Sequence, residues 1–337
     1  MQSFTSSFFG RAVAVVIVLT CAPRAAPCQG QPILARLDGP STVVLVDPVT
    51  SRERRLYDAS PRGLRDLTVS PSERYVAVVH LNVADGPTAS KGRPRNQLIV
   101  LAAEDGRATV VDRDVRRYVW CCNGETIAFV VGAYYEGGVG FLPEGVFLYD
   151  LATKSEAPLP LPKGSYALQW SAADSSLYAK ALVRGDSARV WRYHVPTKEV
   201  SPTLLKDVLL SPSGRYYLYY NLHDLRDRVG WHLIERSSGR DLPLPDTTLG
   251  VVQGWAFGRD DYLLLARTRR SGPLPPRGQR QVVAADVQVV GYTVYDAAKR
   301  RVSLRIEGRL MPSSAASGGA LPVVKGGRLE LISQPSQ

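Results

Sequence analysis

Weak copies of one short pattern recur along almost the whole chain, and they constrain its fold more than any other feature. The clearest copy is WCCNGETIAF, which begins at Trp120. The equivalent column is occupied by Val69, Trp170, Leu210 and Trp255, with a weaker copy near Val323. Each copy is an apolar strand, a turn rich in Ser, Pro, Gly or Asp, and a second apolar strand. Such repeats, spaced about 40–70 residues apart, are typical of propeller blades.

A second pair of strands follows most copies of the pattern. In residues 145–161 (GVFLYDLATKSEAPLPL), an alternating strand ends in Asp and a short turn leads into another strand. Equivalent pairs occupy residues 97–112, 189–204, 230–245 and 291–306, which completes five four-stranded units. Residues 41–58 form a pair with no pair before it, and residues 320–333 form a pair with none after it. We therefore predict an all-β chain in which residues 31–337 form a single six-bladed β-propeller, the last blade closed by strands from both termini.

The repeats also resemble a known family. The pattern W-S-P-D-G-x-x-I-A-F is matched by Trp120, Asn123, Gly124, Ile127, Ala128 and Phe129. Further matches are Ser70-Pro71, Trp170-Ser171, Ser211-Pro212 with Gly214, and Tyr149-Asp150-Leu151. This pattern resembles the WD40-like repeat of TolB-type propellers, and the propeller domains of prolyl oligopeptidases are similar to it. The turn Asp of the family is replaced by Ser72, Asn123, Ala173, Ser213 and Gly258. TolB-type proteins also carry an α/β domain that we do not find here, so the resemblance implies the fold and no particular partner.

Residues 1–28 have the pattern of a secretory signal peptide. Arg11 precedes an apolar run over residues 12–21, and small residues follow it. A run of about ten apolar residues suits a signal and is too short to cross a bilayer. We predict cleavage near Cys28, a periplasmic or secreted location, and no transmembrane segment in the mature chain. Lipid anchoring at Cys21 is the alternative, although Thr20 makes a poor lipobox.

After that cleavage, the adjacent Cys121 and Cys122 are the only cysteines. Two cysteines in a chain of this length make no disulfide framework. A disulfide between neighbours is sterically strained, and the alternative is that both residues are merely small residues in a turn.

The chain is basic, with a formal charge of +11 that falls by two when Arg11 and Arg24 leave with the signal. Only eight of its 42 basic residues are Lys. The charges are scattered and form no basic helix or nucleic-acid motif, so we predict no nucleic-acid partner. An anionic partner at the cell surface stays open.

The candidate binding residues lie in the long connections between the second and third strands of the repeats. These connections are residues 81–96, 132–144, 221–228 and 268–288, and alternation of connections places them all on one face of the disc. The candidates are Lys91, Arg93, Arg95, Tyr134, Tyr135, Phe141, His223, Arg269, Arg270, Arg277 and Arg280. Aromatic residues beside Arg are favoured at interfaces. The alternative is that they are solvated loop residues that only keep the protein soluble.

We predict a non-enzymatic binding or scaffold protein that holds a protein or an anionic envelope component on this loop face. The alternative is a propeller enzyme, a lyase or hydrolase, acting at the mouth of the central channel. Of the acids near the starts of the first strands, only Asp66 and Asp207 are candidates, and the four histidines form no catalytic or metal-binding motif. We therefore predict no catalytic residue, no metal site and no cofactor.

Overall fold

A computed structural model describes residues 33–47, 49–83, 95–121, 124–134, 141–182, 188–221, 230–244, 250–256, 261–270, 287–310, 314–316, 320–325 and 328–333. All of them belong to the compact unit Pro32–Gln337. The predicted signal peptide lies outside the described residues and stays a prediction.

The described residues form 27 strands in seven antiparallel sheets, which we number as blades along the chain. Blade 1 contains β1 (Leu34–Asp38), β2 (Thr42–Val46) and β3 (Glu53–Asp58), and blade 2 contains β4 (Leu64–Val69), β5 (Tyr75–Val83), β6 (Arg95–Ala102) and β7 (Ala108–Val111). Blade 3 contains β8 (Val115–Cys121), β9 (Thr126–Tyr134), β10 (Phe141–Asp150) and β11 (Ser155–Pro158); blade 4 contains β12 (Ser165–Ser171), β13 (Ser176–Ala181), β14 (Arg189–His194) and β15 (Glu199–Pro202).

Blade 5 contains β16 (Leu209–Leu210), β17 (Tyr216–Asn221), β18 (Gly230–Glu235) and β19 (Asp241–Leu242), and blade 6 contains β20 (Gly250–Ala256), β21 (Tyr262–Arg270), β22 (Val287–Asp296) and β23 (Arg301–Glu307). The remaining strands are β24 (Arg309–Leu310), β25 (Ser314–Ala316), β26 (Leu321–Lys325) and β27 (Arg328–Ile332). The order β24-β26-β27 makes blade 7, whereas β25 crosses to blade 1 and gives it the order β25-β1-β2-β3.

The all-β propeller is confirmed, but the predicted count of six blades is wrong, because the structure has seven. The prediction merged residues 41–58 and 320–333 into one blade, whereas the structure places them in two. Two segments that it left out supply the difference: β1, and the Ser/Gly-rich region that holds β24 and β25. Strands of two or three residues are too short to show alternation, so no sequence pattern marks β24 or β25.

Apolar clusters fill the space between successive blades. The described residues form seven such clusters, one for each neighbouring pair of blades, including the pair formed by blades 7 and 1. One buried member of each, in order around the ring, is Ile99, Phe129, Leu177, Tyr178, Leu263, Val294 and Leu34. Each sheet thus buries both of its faces against its neighbours, which explains why the strands are apolar on both sides.

The recurring pattern corresponds to the first strand of a blade and the turn that follows it. Ser70 and Ser211 each accept the backbone N–H five residues ahead through Oγ, at 3.1 Å in both turns. Cys121 occupies the same position as a buried thiol, not a disulfide, and donates to the carbonyl of Thr126 at 3.6 Å. The prediction of a small turn residue is therefore confirmed for Cys121; Cys122 lies outside the described residues. Gly124 has a φ of +79°, and a Cβ there would lie 2.7 Å from the backbone nitrogen of Ser72 in the preceding blade.

The tryptophans of the pattern connect neighbouring blades, as expected for packing residues. Trp120 Nε1 donates to Thr68 Oγ1 of blade 2 at 2.8 Å, and Trp255 Nε1 donates to the carbonyl of Leu209 in blade 5 at 3.1 Å. These contacts join equivalent ends of the first strands, so the first strands run in the same direction around the ring. We call the face where they begin the upper face; it also carries the tips of the hairpins between second and third strands. The turns between first and second strands and between third and fourth strands lie on the opposite face, which we call the lower face.

Candidate functional site

Three hairpins extend beyond their blades on the upper face. In blade 2 the first strand pairs as far as His80, whereas β5 and β6 continue to the pair Val83–Arg95. In blade 3 the first strand stops at Val131, and β9 and β10 continue to Tyr134 and Phe141. Blade 6 shows the same three-residue extension, from Arg267 to Arg270 paired with Val287. The predicted long connections of these blades therefore leave from one face, which is consistent with the alternation argument.

The predicted binding residues are only partly within the described structure. Six of them lie outside the described residues: Lys91, Arg93, Tyr135, His223, Arg277 and Arg280. Arg95, Tyr134, Phe141 and Arg270 are the end residues of the extended strands, so their backbones lie on the upper face. Arg269 pairs with Gln288 in the extension of blade 6, and its side chain is exposed. The assignment of these residues to a binding site stays a prediction.

A feature that the sequence did not reveal is a β-bulge near the start of several first strands. The register of these strands shifts between Arg65 and Thr68, Val115 and Arg117, Ser165 and Ala167, and Val252 and Gly254. A bulge re-aims a side chain and is common at the rims of closed sheets and next to functional sites. The bulges include Asp66, Arg116, Tyr166 and Gln253 on the first strands of their blades, and no residue type in the sequence marks them.

Hydrogen bonds hold the bulge of blade 2 against blade 3. Trp120 Nε1 donates to Thr68 Oγ1, and the Thr68 hydroxyl donates to Tyr118 Oη at 3.0 Å. The single proton of Tyr118 Oη is shared between the carbonyls of Ala77, at 2.8 Å, and Asp66. Such chains of hydrogen bonds reinforce one another in a low-dielectric interior. Burial raises the pKa of Tyr118 well above its usual range, so the phenol stays protonated as a donor.

Three carboxylates of the upper face are engaged in ion pairs. Asp66 pairs with Arg65 at 2.6 Å, and Asp207 pairs with Lys180 at 3.0 Å. Asp114 pairs with Arg116 at 2.7 Å. In the described ranges, no group of three or more His, Cys, Asp or Glu side chains could hold a metal ion.

The two faces differ in charge. The described basic positions of the upper face outnumber the acidic ones. The basic positions are Arg62, Arg65, Arg95, Arg113, Arg116, Arg117, Lys163, Lys180, Arg189, Lys206, Arg267, Arg269, Arg270, Arg309, Lys325 and Arg328, and the acidic positions are Asp38, Asp58, Asp66, Asp112, Asp114, Glu144, Asp207 and Glu307. On the lower face the turns are balanced: Arg52, Arg74, Arg107, Lys154, Lys198, Arg215, Arg236, Arg240, Lys299, Arg300 and Arg301 against Asp47, Glu73, Glu104, Asp105, Glu125, Asp150, Asp174, Glu199, Glu235, Asp241, Asp261 and Asp296. The excess positive charge of the described propeller therefore lies on the face with the extended hairpins.

The lower face has a cleft of about 480 Å³ between blades 1 and 2. Its polar walls include Arg54, which donates to the carbonyl of Glu104 at 2.8 Å and to that of Ala103, and so joins the two blades. Arg74 stacks on Tyr75 and pairs with Glu125 of blade 3. Both guanidinium groups therefore contribute to contacts between blades.

The described histidines are found in three different settings. His232 is buried, its Nδ1 lies 2.7 Å from Asp241 Oδ2, and its ring stacks on Tyr219 at 4.6 Å. His194 lies on a lower-face turn, with Nδ1 2.8 Å from Thr197 Oγ1. His80 lies on the upper half of β5 beside Arg62, and within the described part of the chain its Nε2 is buried without a hydrogen-bond partner.

His80 should make folding sensitive to mild acid. Burial and then the charge of Arg62 lower its pKa, although a bond to the backbone of Ala59 opposes this shift. The folded state therefore prefers the neutral ring, and the unfolded state takes up protons first as the pH falls through about 6.5. We expect the free energy of unfolding to fall by no more than about 1 kcal/mol on this account, because the site is partly exposed to solvent.

The measurement is urea unfolding from about pH 8 to pH 5.5, a window that brackets the ordinary histidine pKa. The decrease in the free energy of unfolding toward acid should be smaller in His80→Gln than in the wild type. The control variant His194→Gln should show the same decrease as the wild type. Identical acid profiles for His80→Gln and the wild type would contradict this assignment.

No helix in the described ranges is long and apolar enough to cross a membrane. A scan of protein-family models finds no match to the chain, and a search of curated proteins finds none either.

Solved propeller structures resemble the chain. An oligogalacturonate lyase from Vibrio parahaemolyticus aligns over 70% of this chain and 71% of its own, at 12% identity and a TM-score of 0.53. The β-propeller domain of the trilobed protease from Pyrococcus furiosus aligns over 81% and 84%, at 12% identity and a TM-score of 0.50. TolB from Acinetobacter baumannii aligns over 87% and 67%, at 13% identity and a TM-score of 0.46. The structural neighbours are TolB-like and other propeller proteins, and at these identities the likeness concerns the fold alone.

Proposed function

We propose that this protein is a secreted or periplasmic, non-enzymatic β-propeller that binds an anionic partner, either a protein or an envelope component, on its upper face. One observation carries the proposal: the extended hairpins of blades 2, 3 and 6 all leave from the face on which the described basic residues outnumber the acidic ones. A rigid ring that presents several long connections on one side supplies a broad surface without requiring a deep pocket.

Electrostatics supports an anionic partner in particular. Exposed cations such as Arg117, Lys163 and Arg269 lie at separate points of the upper face. A distributed field of this kind steers an oppositely charged surface toward one face and raises the rate of association. Asp66 pairs with Arg65 and Asp207 pairs with Lys180, so these two pairs add no net charge and the other basic residues set the field of the upper face.

The test compares two sets of charge deletions on opposite faces. Changing Arg93, Arg95, Arg277 and Arg280 to Ser removes cations from the predicted long connections. The matched control changes the exposed lower-face residues Arg52, Arg107, Arg240 and Arg301 to Ser. Both variants have the same net charge. We expect the hairpin variant to bind two soluble polyanions, heparin and polyglutamate, roughly tenfold more weakly than the wild type. Each exposed charge that is removed should cost less than about 1 kcal/mol of binding free energy.

The lower-face variant should bind both probes like the wild type, apart from a small loss caused by the lower net charge. Binding should weaken with added salt, because exposed charges are screened within about 10 Å at ordinary ionic strength. Equal losses in the two variants, measured on proteins with matching unfolding curves, would show that only net charge matters and would refute a binding face.

A further inference from the structure

The upper edge of blade 4 exposes two leucines. Leu204 follows β15 and is 100% exposed, and Leu182 follows β13 and is 58% exposed. The neighbouring Leu205 is 9% exposed and packs between blades 4 and 5, so the backbone sends one leucine into the core and the other outward. Leu204 buries no apolar area in the folded chain, so its side chain contributes little to stability.

The backbone holds both leucines at fixed positions. The N–H of Leu182 donates to the carbonyl of Gly164 at 3.3 Å, and the N–H of Thr203 donates to the carbonyl of Val190 at 2.9 Å. Thr203 Oγ1 also donates to Val190 and accepts the N–H of Leu205 at 3.3 Å. The exposure therefore belongs to the ends of hydrogen-bonded strands.

Several cations lie at the same end of blade 4 as the two leucines. Lys163 precedes Gly164, and Lys180 is the penultimate residue of β13, which leads to Leu182. Arg189 begins β14, and Lys206 lies two residues after Leu204. Three of the eight lysines of this Arg-rich chain thus lie at one edge of one blade. Lys180 is paired with Asp207, and Lys206 Nζ donates to Tyr219 Oη at 3.1 Å and lies over its ring. Lys163, Arg189 and Lys206 are exposed to solvent. We call Leu182, Leu204, Lys163, Arg189 and Lys206 the leucine rim.

We propose that the leucine rim docks this protein onto an anionic lipid bilayer, a proposal that rests on the proposed function because it names the anionic partner of the same upper face. Protein surfaces that bind at the membrane interface combine exposed apolar side chains with Lys and Arg. The apolar side chains enter the boundary of the acyl chains, and the cations stay with the headgroups. Anionic headgroups attract each nearby cation. A protein partner fits less well, because leucine is under-represented at protein interface hot spots.

Vesicle sedimentation tests the proposal on the full mature chain. We expect binding to vesicles that contain phosphatidylglycerol and much less binding to vesicles of phosphatidylcholine alone. The double variant Leu182→Ser/Leu204→Ser should bind the anionic vesicles at least about tenfold more weakly, because it removes two apolar tips. The matched control, Val49→Ser/Val302→Ser, changes two apolar residues that are 71% and 41% exposed near lower-face turns and should bind like the wild type.

A second measurement does not depend on a loss of binding. An environment-sensitive dye attached to Leu204→Cys should shift its emission to the blue on anionic vesicles, whereas the same dye on Val49→Cys should not shift. An unshifted dye at Leu204, or equal sedimentation of the wild type and the leucine variant, overturns the proposal. Heparin binding without vesicle binding also overturns it and leaves the proposed function intact; loss of both would mean that the proposed function itself is wrong.

Discussion

Replacing Phe129 by Ala is expected to lower the free energy of unfolding by about 3–5 kcal/mol, the largest effect of any single substitution considered for this protein. Phe129 is completely buried on β9, in the cluster between blades 2 and 3. Its ring stacks on Phe147 of the next strand, with 5.8 Å between ring centroids. The substitution removes apolar area and leaves a cavity in a sheet interface that cannot collapse, because hydrogen-bonded strands hold both walls.

Urea unfolding of the wild type and the Phe129→Ala variant measures this loss. Val110→Ala is the control, because Val110 lies on the outer strand β7 of the adjoining blade and is 47% exposed; its effect should stay within about 0.5 kcal/mol. A loss below about 1 kcal/mol at Phe129 would contradict the packing of blade 3 against blade 2.

Linking β1 to β25 with a disulfide is expected to stabilise the protein by about 2–5 kcal/mol. Ala35 and Ala315 are Cα partners in the antiparallel ladder of blade 1, and Cα atoms of such partners lie about 4.5–5.5 Å apart, within the range that a disulfide spans. The bond would close a loop that contains almost the whole propeller, and long loops lose the most unfolded-state entropy. It would also test the pairing that gives seven blades, because the six-blade arrangement does not join these two residues.

The Ala35→Cys/Ala315→Cys variant should form the bond in a Cys122→Ser background and should lose the added stability when reductant is present. Each single-cysteine variant serves as a control for the substitution itself. If the folded double variant keeps both thiols unlinked under oxidising conditions, then β25 does not pair with β1 and the assignment of blade 1 is wrong.

The candidate site was predictable only in part. The positions of the long connections follow from the spacing of strand pairs, and the structure places the strand ends of Arg95, Tyr134 and Arg270 on one face. The bulges of the first strands and the leucine rim were not predicted. A bulge depends on the register between two strands, and the exposure of Leu204 depends on how blade 4 meets blade 5, so neither is a property of the local sequence.

The sequence alone determined the repeating hairpins, because alternation along a strand and the turn chemistry at Ser70 or Ser211 are local and recur in every copy. It also determined that the tryptophans pack between blades. Only the tertiary structure decided the number of blades. Closure pairs Ala35 with Ala315 across nearly the whole chain, through a three-residue strand that has too few side chains to show any period. The strand exists because the ring supplies its partner, and a partner so distant in sequence leaves no local signal.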